Sequence, residues 1–163
     1  KILKNKYKNI ITIIIPRHIN RTNKIKDELE KLNLIVHLHE SINKINNKTD
    51  IYIVNSFGKT KSFYNNCRNV FLGGSLINHG GQNPLEATRY GCNILHGPNV
   101  QNFKDIYYLL KKNRISNQVS NPNNTVKILD KFFTKKNYSK KKRQKLKKIG
   151  KIILNKTYKE MTL

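Results

Sequence analysis

Short apolar runs alternate along this chain with stretches in which apolar residues recur every three or four positions. The short runs are rich in Ile, Val and Leu, and they predict six β-strands at residues 10–15, 34–38, 50–54, 69–72, 93–96 and 115–119. The stretches between them predict helices at residues 23–32, 58–67, 84–90 and 102–110, and a terminal helix that starts at Pro122. Strands that alternate with helices form βαβ units. The pattern therefore predicts an α/β, Rossmann-like fold with a parallel sheet flanked by helices.

Three of the predicted strands are followed directly by segments that suit ligand binding: Pro16-Arg17-His18, Ser56-Phe57-Gly58 and Gly73-Gly74-Ser75. Parallel strands end at one edge of their sheet, and open parallel sheets bind ligands outside this carboxyl edge. Arg17 can hold a phosphate or carboxylate, and His18 can donate a hydrogen bond to the same anion. A solvent-facing turn explains residues 16–18 equally well. The coincidence of three such segments favours a nucleotide-type site.

The stretch richest in candidate chemistry is Gly80-Gly81-Gln82-Asn83-Pro84-Leu85-Glu86. Two glycines allow positive φ angles and close approach of a ligand, and the loop enters a helix whose first N–H groups attract phosphate. Glu86 lies in the first turn, where a carboxylate can accept hydrogen bonds from both hydroxyls of a ribose. Ordinary helix capping is the alternative, with Asn83 as the N-cap and Glu86 as its capping-box partner. The long glycine-rich approach favours a ligand loop.

Other chemistries lack a sufficient set of residues. Gly73 and Gly74 begin a dinucleotide-like pattern, but Asn78 occupies the position of its third glycine, so NAD is not expected. His37 and His39 share one face of a strand without a third ligand at zinc spacing. No Ser-His-Asp or Cys-His set can be assembled from the sequence. We therefore expect neither a metal nor a cofactor.

The composition has a strong excess of basic residues. The 163 residues include 33 Lys and Arg against 9 Asp and Glu, a formal net charge of +24. Such a charge usually indicates nucleic acid or anionic lipid as a partner. Lys, Asn and Ile together fill 72 positions and Arg only 6, a bias that AT-rich codons explain without selection for binding. Nucleic-acid readers favour Arg and stacking aromatic residues, so no specific nucleic-acid partner is expected.

One segment concentrates the positive charge. Residues 131–151 contain eleven Lys or Arg and no acid, and the run at residues 140–149 predicts a basic helix. Leu146, Ile149, Ile152 and Ile153 recur at helical spacing and predict a narrow apolar stripe. The favoured interpretation is a solvated terminal helix that docks this stripe on the domain. The functional alternative is adhesion to an anionic membrane surface, at about 1 kcal/mol for each basic residue near the lipid.

Taken in order, the motifs of the chain resemble one family. They are Pro16-Arg17-His18, Arg21, Asn55-Ser56-Phe57-Gly58, Phe63-Tyr64, Phe71-Leu72-Gly73-Gly74-Ser75-Leu76, Gly80-Gly81-Gln82-Asn83-Pro84-Leu85-Glu86, Gly97-Pro98 and Asn102-Phe103. Their order and spacing over residues 10–110 are similar to those of the C-terminal domain of 3-deoxy-D-manno-octulosonic acid (Kdo) transferases. These enzymes move Kdo from CMP-Kdo to the lipid A precursor.

The resemblance implies the C-terminal half of a GT-B glycosyltransferase, in which two Rossmann-like domains face a cleft and the C-terminal one binds the nucleotide donor. It implies that Pro16 and Arg17 contact the phosphate region of CMP. It also implies that Phe57, Gly58 and Lys59 line the nucleotide pocket, and that the donor phosphate and ribose meet Asn83, Pro84, Leu85 and Glu86. Secondary candidates for the same site are His18, Ser56, Gly73 and Gly74.

Two positions depart from the family pattern. Lys59 stands where the family usually has an acid, which affects the nucleotide contacts, and Gln82 stands where it often has His, which Gln can replace as a donor. The family's N-terminal domain carries the acceptor site and a glutamate general base, and we expect both that domain and the opening strand of the C-terminal domain to be missing here. No catalytic residue is therefore expected in this chain, and we expect the chain alone to be inactive.

The expected organisation is a donor-binding domain over residues 1–130, incomplete at its N-terminus, and a basic helix or tail over residues 131–163. The implied partners are CMP-Kdo, the lipid A precursor and an anionic membrane surface, and the implied location is the cytoplasmic face of the cell inner membrane. Three alternatives stay open: a GT-B glycosyltransferase that uses another nucleotide sugar, a basic nucleic-acid-binding domain, and a non-catalytic remnant of a decaying gene that folds poorly.

Overall fold

The computed structural model describes residues 1–134 and 140–161, and within that range it leaves out the side chains of residues 140–143, 157, 160 and 161. The chain divides into two compact units, Lys1–Thr60 and Lys61–Leu163. The boundary expected between residues 130 and 131 lies inside a helix, and that division stays a prediction.

The first unit contains a three-stranded parallel sheet. Its elements are α1 (Ile2–Lys6), β1 (Thr12–Ile14), a 3-10 turn (Ile19–Arg21), α2 (Thr22–Glu30), β2 (Val36–Leu38) and β3 (Ile51–Ile53). The strand order is β1-β3-β2, so β3 is central, with Ile14 opposite Ile53 and Leu38 opposite Ile53 on its two sides. Both Ile51 and Ile53 are buried, as expected for a central strand with alternating apolar residues.

The second unit contains another three-stranded parallel sheet, in the order β4-β5-β6. Its elements are α3 (Thr60–Asn66), β4 (Asn69–Leu72), α4 (Leu85–Arg89), β5 (Asn93–His96), a 3-10 turn (Gln101–Phe103), α5 (Lys104–Lys112), β6 (Ser116–Gln118), α6 (Pro122–Thr134) and α7 (Lys140–Met161). All four residues of β5 are buried, and β5 is the central strand of this sheet. The hydrophobic core of this unit surrounds β5 and includes Leu72, Ala87, Cys92, Leu110 and Ile115.

The predicted parallel α/β fold is confirmed, and its six strands pair as two three-stranded sheets within the described residues. β4 and β5 have the predicted bounds, whereas the other four strands are shorter than predicted. The helix predicted from Asn23 begins at Thr22, and α5 begins at Lys104 after a 3-10 turn that contains Asn102. Thr22 donates its hydroxyl to the carbonyl of Ile19, which joins that turn to α2.

The basic C-terminal helix α7 docks on the second unit, as its apolar stripe predicted. Leu146 and Ile153 are buried and Ile149 packs against the core, but Ile152 is 58% exposed and does not belong to the docked face. Gly150 lies against the end of α4, where a Cβ on this glycine would meet the backbone of Thr88 and the Arg89 nitrogen at 3.0–3.1 Å. Residues 135–139 of the basic segment lie outside the described residues, as do the side chains of residues 140–143.

An ion pair in the first unit ties α1 to the beginning of β3. The Lys4 ammonium lies 3.0 Å from Asp50, and the backbone N–H of Ile35 donates a 2.9 Å hydrogen bond to the same carboxylate. The Ile35 hydrogen bond is the main reason that the pKa of Asp50 is lowered, and Lys4 adds to the effect. In the part of the chain that the structure describes, no helix has the length and apolarity needed to cross a bilayer.

Candidate functional site

The first unit places two of the predicted ligand segments side by side. β1 and β3 are parallel neighbours, and the N–H of Val54 donates to the carbonyl of Ile14 at 2.9 Å, just beyond the last paired residues. The segments that follow, residues 16–18 and 55–59, therefore leave the same edge of the sheet from adjacent strands. Arg17 and His18 are exposed there, and Pro16 is half-buried. An exposed guanidinium at this edge is available to an anion.

Ser56 carries an unusual feature of this edge. Its hydroxyl oxygen is shielded from solvent and has no hydrogen-bond partner among the described residues. Buried hydroxyls are nearly always hydrogen-bonded, so an isolated one calls for an explanation such as a bound ligand. Phe57 beside it is 79% exposed, and Gly58 has a φ of 75°, a conformation that favours glycine. Residues 56–58 thus combine an unsatisfied hydroxyl, an exposed ring and an open backbone.

In the second unit, the loop after β4 is held by one buried serine. Ser75 donates its hydroxyl to the carbonyl of Leu72 at 2.6 Å and accepts a hydrogen bond from the N–H of Gly97 at 2.8 Å. Its carbonyl accepts a further bond from the N–H of Asn99. A Cβ on Gly97 would collide with the backbone of Ser75, so the loops after β4 and β5 touch at this glycine. Ser75 is therefore a structural anchor.

The two glycines at residues 80 and 81 adopt φ angles of 77° and 73°, which confirms the predicted positive φ. Gly80 lies against Asn102, and a Cβ on Gly80 would collide with the Asn102 side chain. The backbone N–H of Asn102 donates to the carbonyl of Gly80 at 3.2 Å. Asn102 also donates its amide group to the carbonyl of His79 at 3.4 Å. Residue 102 was predicted to begin a helix, but Asn102 precedes α5 and its side chain holds the glycine-rich loop instead.

The loop ends in α4, which is only five residues long. Asn83 accepts a hydrogen bond from the N–H of Leu85 at 2.9 Å, so it satisfies one of the free N–H groups at this helix end. The hydroxyl of Thr88 donates to the carbonyl of Pro84 at 2.8 Å and closes the turn from the buried side. A capping box is not formed, because the half-buried carboxylate of Glu86 has no hydrogen bond or ion pair among the described residues.

Two side chains near this loop, Tyr64 and His96, have pKa values that are shifted mainly by burial. Burial, the Glu86 carboxylate and Cys92 together raise the pKa of Tyr64 to about 12, with burial as the largest cause. Burial also lowers the pKa of His96, with a smaller contribution from Lys111, although the carbonyl of Gly97 opposes the change. Tyr64 and His96 are consequently neutral at physiological pH.

The two strand histidines lie beside a tyrosine. His39 shares a 2.7 Å hydrogen bond with the hydroxyl of Tyr52, and the ring of His37 stacks on the Tyr52 ring. Among the side chains that the structure describes, no group of three or more His, Cys, Asp or Glu is arranged to hold a metal ion. An open depression in the first unit is lined by residues 9–11, 45–47 and 49, at the amino ends of β1 and β3 and away from the predicted site.

The predicted site residues fall on both units. Residues 16–18 and 56–59 belong to the first, and residues 73–74 and 83–86 belong to the second. Sequence reasoning missed Tyr107, whose hydroxyl donates to the carbonyl of Gln82 at 2.9 Å, and it gave Ser75 no part in shaping the loop. The signal for Tyr107 was its place three residues before Leu110, on the face of α5 that packs into the core.

Comparison with known proteins gives three informative relatives. A bifunctional glycosyltransferase/methyltransferase from Fusobacterium nucleatum is 32% identical over 132 residues, 80% of this chain and 21% of that protein. The Kdo transferase of Haemophilus influenzae is 33% identical over 106 residues, 64% of this chain and 25% of that enzyme. The Kdo transferase of Aquifex aeolicus is 26% identical over 136 residues, 83% of this chain and 37% of that enzyme.

The resemblance to the Kdo transferase family is confirmed. The chain spans between 21% and 37% of the length of these three relatives. No protein-family model matches it. A crystal structure of the C-terminal CMP-Kdo binding domain of WaaA from Acinetobacter baumannii matches the fold with a TM-score of 0.80 at 24% identity. The match covers 93% of this chain and 77% of that chain, and it confirms the predicted Rossmann-like α/β fold.

Proposed function

We propose that this chain is the donor-binding half of a Kdo transferase. It binds CMP-Kdo, and Kdo passes from this donor to the lipid A precursor. The Kdo transferases among its relatives and the CMP-Kdo binding domain that shares its fold support this proposal. The proposal covers donor binding alone and assigns no residue of this chain to the acceptor site or to the general base.

One observation carries the proposal: the loop at residues 73–86 is rigidly held and ends on an unpaired carboxylate. Ser75, Asn102 and Tyr107 fix its backbone through hydrogen bonds to neighbouring segments. The half-buried carboxylate of Glu86, at the end of this loop, has no protein partner among the described residues. A rigid loop that presents an unpaired carboxylate suits a ribose, since both ribose hydroxyls can donate to the carboxylate oxygens.

In this reaction a base removes the proton of an acceptor sugar hydroxyl, and the oxygen attacks the anomeric carbon of Kdo. The bond between that carbon and the phosphate oxygen breaks, and CMP leaves with the electron pair. Negative charge therefore develops on the phosphate, and the family resemblance assigns its stabilisation to Arg17 in the first unit and to the backbone N–H groups near Asn83 in the second. Ser56, Phe57, Gly58 and Lys59 contribute to the nucleotide contacts, and the unsatisfied Ser56 hydroxyl gains a partner there.

The test is calorimetric titration of the whole chain with CMP, with UMP and AMP as competing nucleotides. We expect selective CMP binding, and Arg17→Ala and Glu86→Gln each to weaken it about tenfold or more through loss of a charged hydrogen bond. Lys24→Ala and Glu28→Gln remove exposed charges from α2 and serve as matched controls that leave binding unchanged. Equal affinity for the three nucleotides, or preference for UMP, would reject the donor assigned here and would favour another nucleotide sugar.

The basic helix α7 is assigned to an anionic membrane surface at the cytoplasmic face of the inner membrane. Its buried face packs on the core, so its opposite face is directed to solvent and carries exposed Lys145, Lys148, Lys151, Lys156 and Lys159. Ile152 and Tyr158 are 58% and 60% exposed and can enter the lipid headgroup layer. Each lysine near the lipid adds about 1 kcal/mol of attraction.

Vesicle sedimentation tests this assignment. Vesicles that contain phosphatidylglycerol should retain the chain, vesicles of phosphatidylcholine alone should not, and added salt should release it. A Lys145→Glu, Lys148→Glu, Lys151→Glu variant should lose retention, whereas Lys24→Glu on α2 should keep it. Retention that the triple change leaves intact would contradict the assignment. Tighter and steeply salt-dependent binding to an oligonucleotide would favour the nucleic-acid alternative.

A further inference from the structure

The backbone carbonyl of Gln82 accepts a hydrogen bond from a side chain outside the glycine-rich motif. Tyr107 lies on the buried face of α5 with 3% of its surface exposed, and its hydroxyl donates to this carbonyl at 2.9 Å. The ring of Tyr107 packs against the buried ring of His96, with 4.3 Å between the ring centroids. Its position is therefore fixed by the core, and the loop is attached to it.

The phenol of Tyr107 stays protonated and therefore remains a hydrogen-bond donor. Burial raises its pKa well above the usual range of tyrosine, and Tyr64 contributes to this increase. The hydroxyl consequently keeps its proton at physiological pH, so it remains a donor to the carbonyl of Gln82.

A planar peptide group transmits the effect of this bond to the next residue. The carbonyl of Gln82 and the N–H of Asn83 belong to one trans peptide unit, in which they point in opposite directions. A carbonyl held by the buried Tyr107 therefore turns the N–H of Asn83 away from that side. Asn83 is exposed, and its N–H makes no hydrogen bond with the described residues. This N–H is available to an acceptor such as a phosphate oxygen.

We propose that Tyr107 is a positioning residue for donor binding, because its hydroxyl orients the peptide group that presents the Asn83 N–H to the donor phosphate. The proposal rests on the proposed function for its ligand. It assigns Tyr107 no contact with the donor, and its predicted effect is confined to the part of the donor that Asn83 meets.

The experiment compares Tyr107→Phe with Tyr108→Phe in the whole chain. Tyr108 is the next residue of α5 and is 66% exposed, so its change removes the same hydroxyl without touching the loop. Tyr107→Phe should weaken CMP binding about three- to tenfold, the range expected for one hydrogen bond, and should leave binding of cytidine, which lacks the phosphate, unchanged. The Asn83 amide resonance in the ligand-free chain should shift in Tyr107→Phe and stay in place in Tyr108→Phe.

The outcomes separate the two proposals. If the wild-type chain binds no nucleotide, the proposed function fails, and the ligand-free amide resonance still shows whether Tyr107 orients the peptide group. If the wild-type chain binds CMP and Tyr107→Phe binds it equally well, the positioning role is wrong. Equal losses for CMP and cytidine would also overturn that role, because they would indicate a general loosening of the loop.

Discussion

The hydroxyl of Ser75 accepts a hydrogen bond from the backbone N–H of Gly97 at 2.8 Å, which joins the loop after β4 to the loop after β5. The same hydroxyl donates to the carbonyl of Leu72 at 2.6 Å, and Ser75 is completely buried. One side chain thus satisfies two backbone groups at the carboxyl edge of the second sheet. The glycine-rich loop that leads to Glu86 starts from this fixed point.

Ser75→Ala should lower the free energy of unfolding by about 1–3 kcal/mol, because it leaves the buried N–H of Gly97 and a buried carbonyl without their partner. Ser62 is exposed on α3, and Ser62→Ala serves as the control with a change near zero. Urea denaturation followed by circular dichroism measures both. A Ser75→Ala variant as stable as the Ser62→Ala variant would show that the hydroxyl does not hold the two loops.

Gly97→Ala should destabilise the chain by about 1–3 kcal/mol, since the added methyl group would collide with the backbone of Ser75, which cannot rotate away as a flexible side chain would. Gly73→Ala is the matched change, because a Cβ on Gly73 would meet no atom within 4 Å. Its effect should stay within about 0.5 kcal/mol. Thermal unfolding of the two variants should rank them in this order, and the reverse ranking would contradict the packing at Gly97.

The buried His96 should make the stability of the chain depend on pH. Its pKa is lowered in the folded state, mainly by burial, from an ordinary value of 6.5, so the unfolded chain binds this proton more readily. The free energy of unfolding should therefore fall as the pH decreases below about 6.5. His96→Leu should lack this part of the pH dependence, whereas His79→Leu, an exposed control, should retain it. Urea denaturation midpoints of the wild-type chain and the two variants, measured from pH 8 to pH 5, test this prediction.

Gly150→Ala should destabilise the chain by about 1 kcal/mol, although alanine is the better helix former. The reason is that the methyl group would press on the backbone of Thr88 and Arg89 in α4. Asn155 is exposed on the same helix, and Asn155→Ala should raise stability by a few tenths of a kcal/mol, which is roughly its helix-propensity gain. If both alanines were stabilising, α7 would not pack on α4 as closely as described.

The carboxylate of Asp50 should contribute stability that acid removes. The N–H of Ile35 and the ammonium of Lys4 hold its pKa below the ordinary value of 3.8, so the contribution is present above that pH and is lost as the pH falls through the lowered pKa. Asp50→Asn should lose this acid-dependent part, and Glu28→Gln, at an exposed position, should not. The comparison needs unfolding curves from pH 6 down to about pH 2, the range in which carboxylates titrate.

The sequence predicted the strand bounds best where a short apolar run has polar residues at the strand ends. Asn69 begins β4, Asn93 and His96 begin and end β5, and both strands have the predicted bounds. The strand at residues 10–15 was predicted too long, because apolar residues such as Ile11 continue beyond the three paired positions of β1 and remain exposed. Periodicity reports which residues are apolar, but pairing decides where a strand ends.

The candidate site was predictable to the extent that it follows strand ends. Arg17 and Ser56 lie in the loops that follow β1 and β3, and Glu86 lies in the first turn of α4, as the pattern predicted. The partners of Asn102 and Tyr107 were not predictable, because each contacts the loop from more than twenty residues away in sequence. Local rules describe caps and turns, but they do not reveal which distant side chain a loop carbonyl will meet.

The packing of α7 on α4 also has a consequence for folding during synthesis. A ribosome delivers the Glu86 loop and α4 well before residues 140–161, so one side of α4 stays uncovered until α7 emerges. Leu146 and Ile153 then close the hydrophobic core of the second unit. During the interval, apolar surface beside the glycine-rich loop is open to chaperones or to nonspecific association. The later segment thus completes the support of a loop made much earlier.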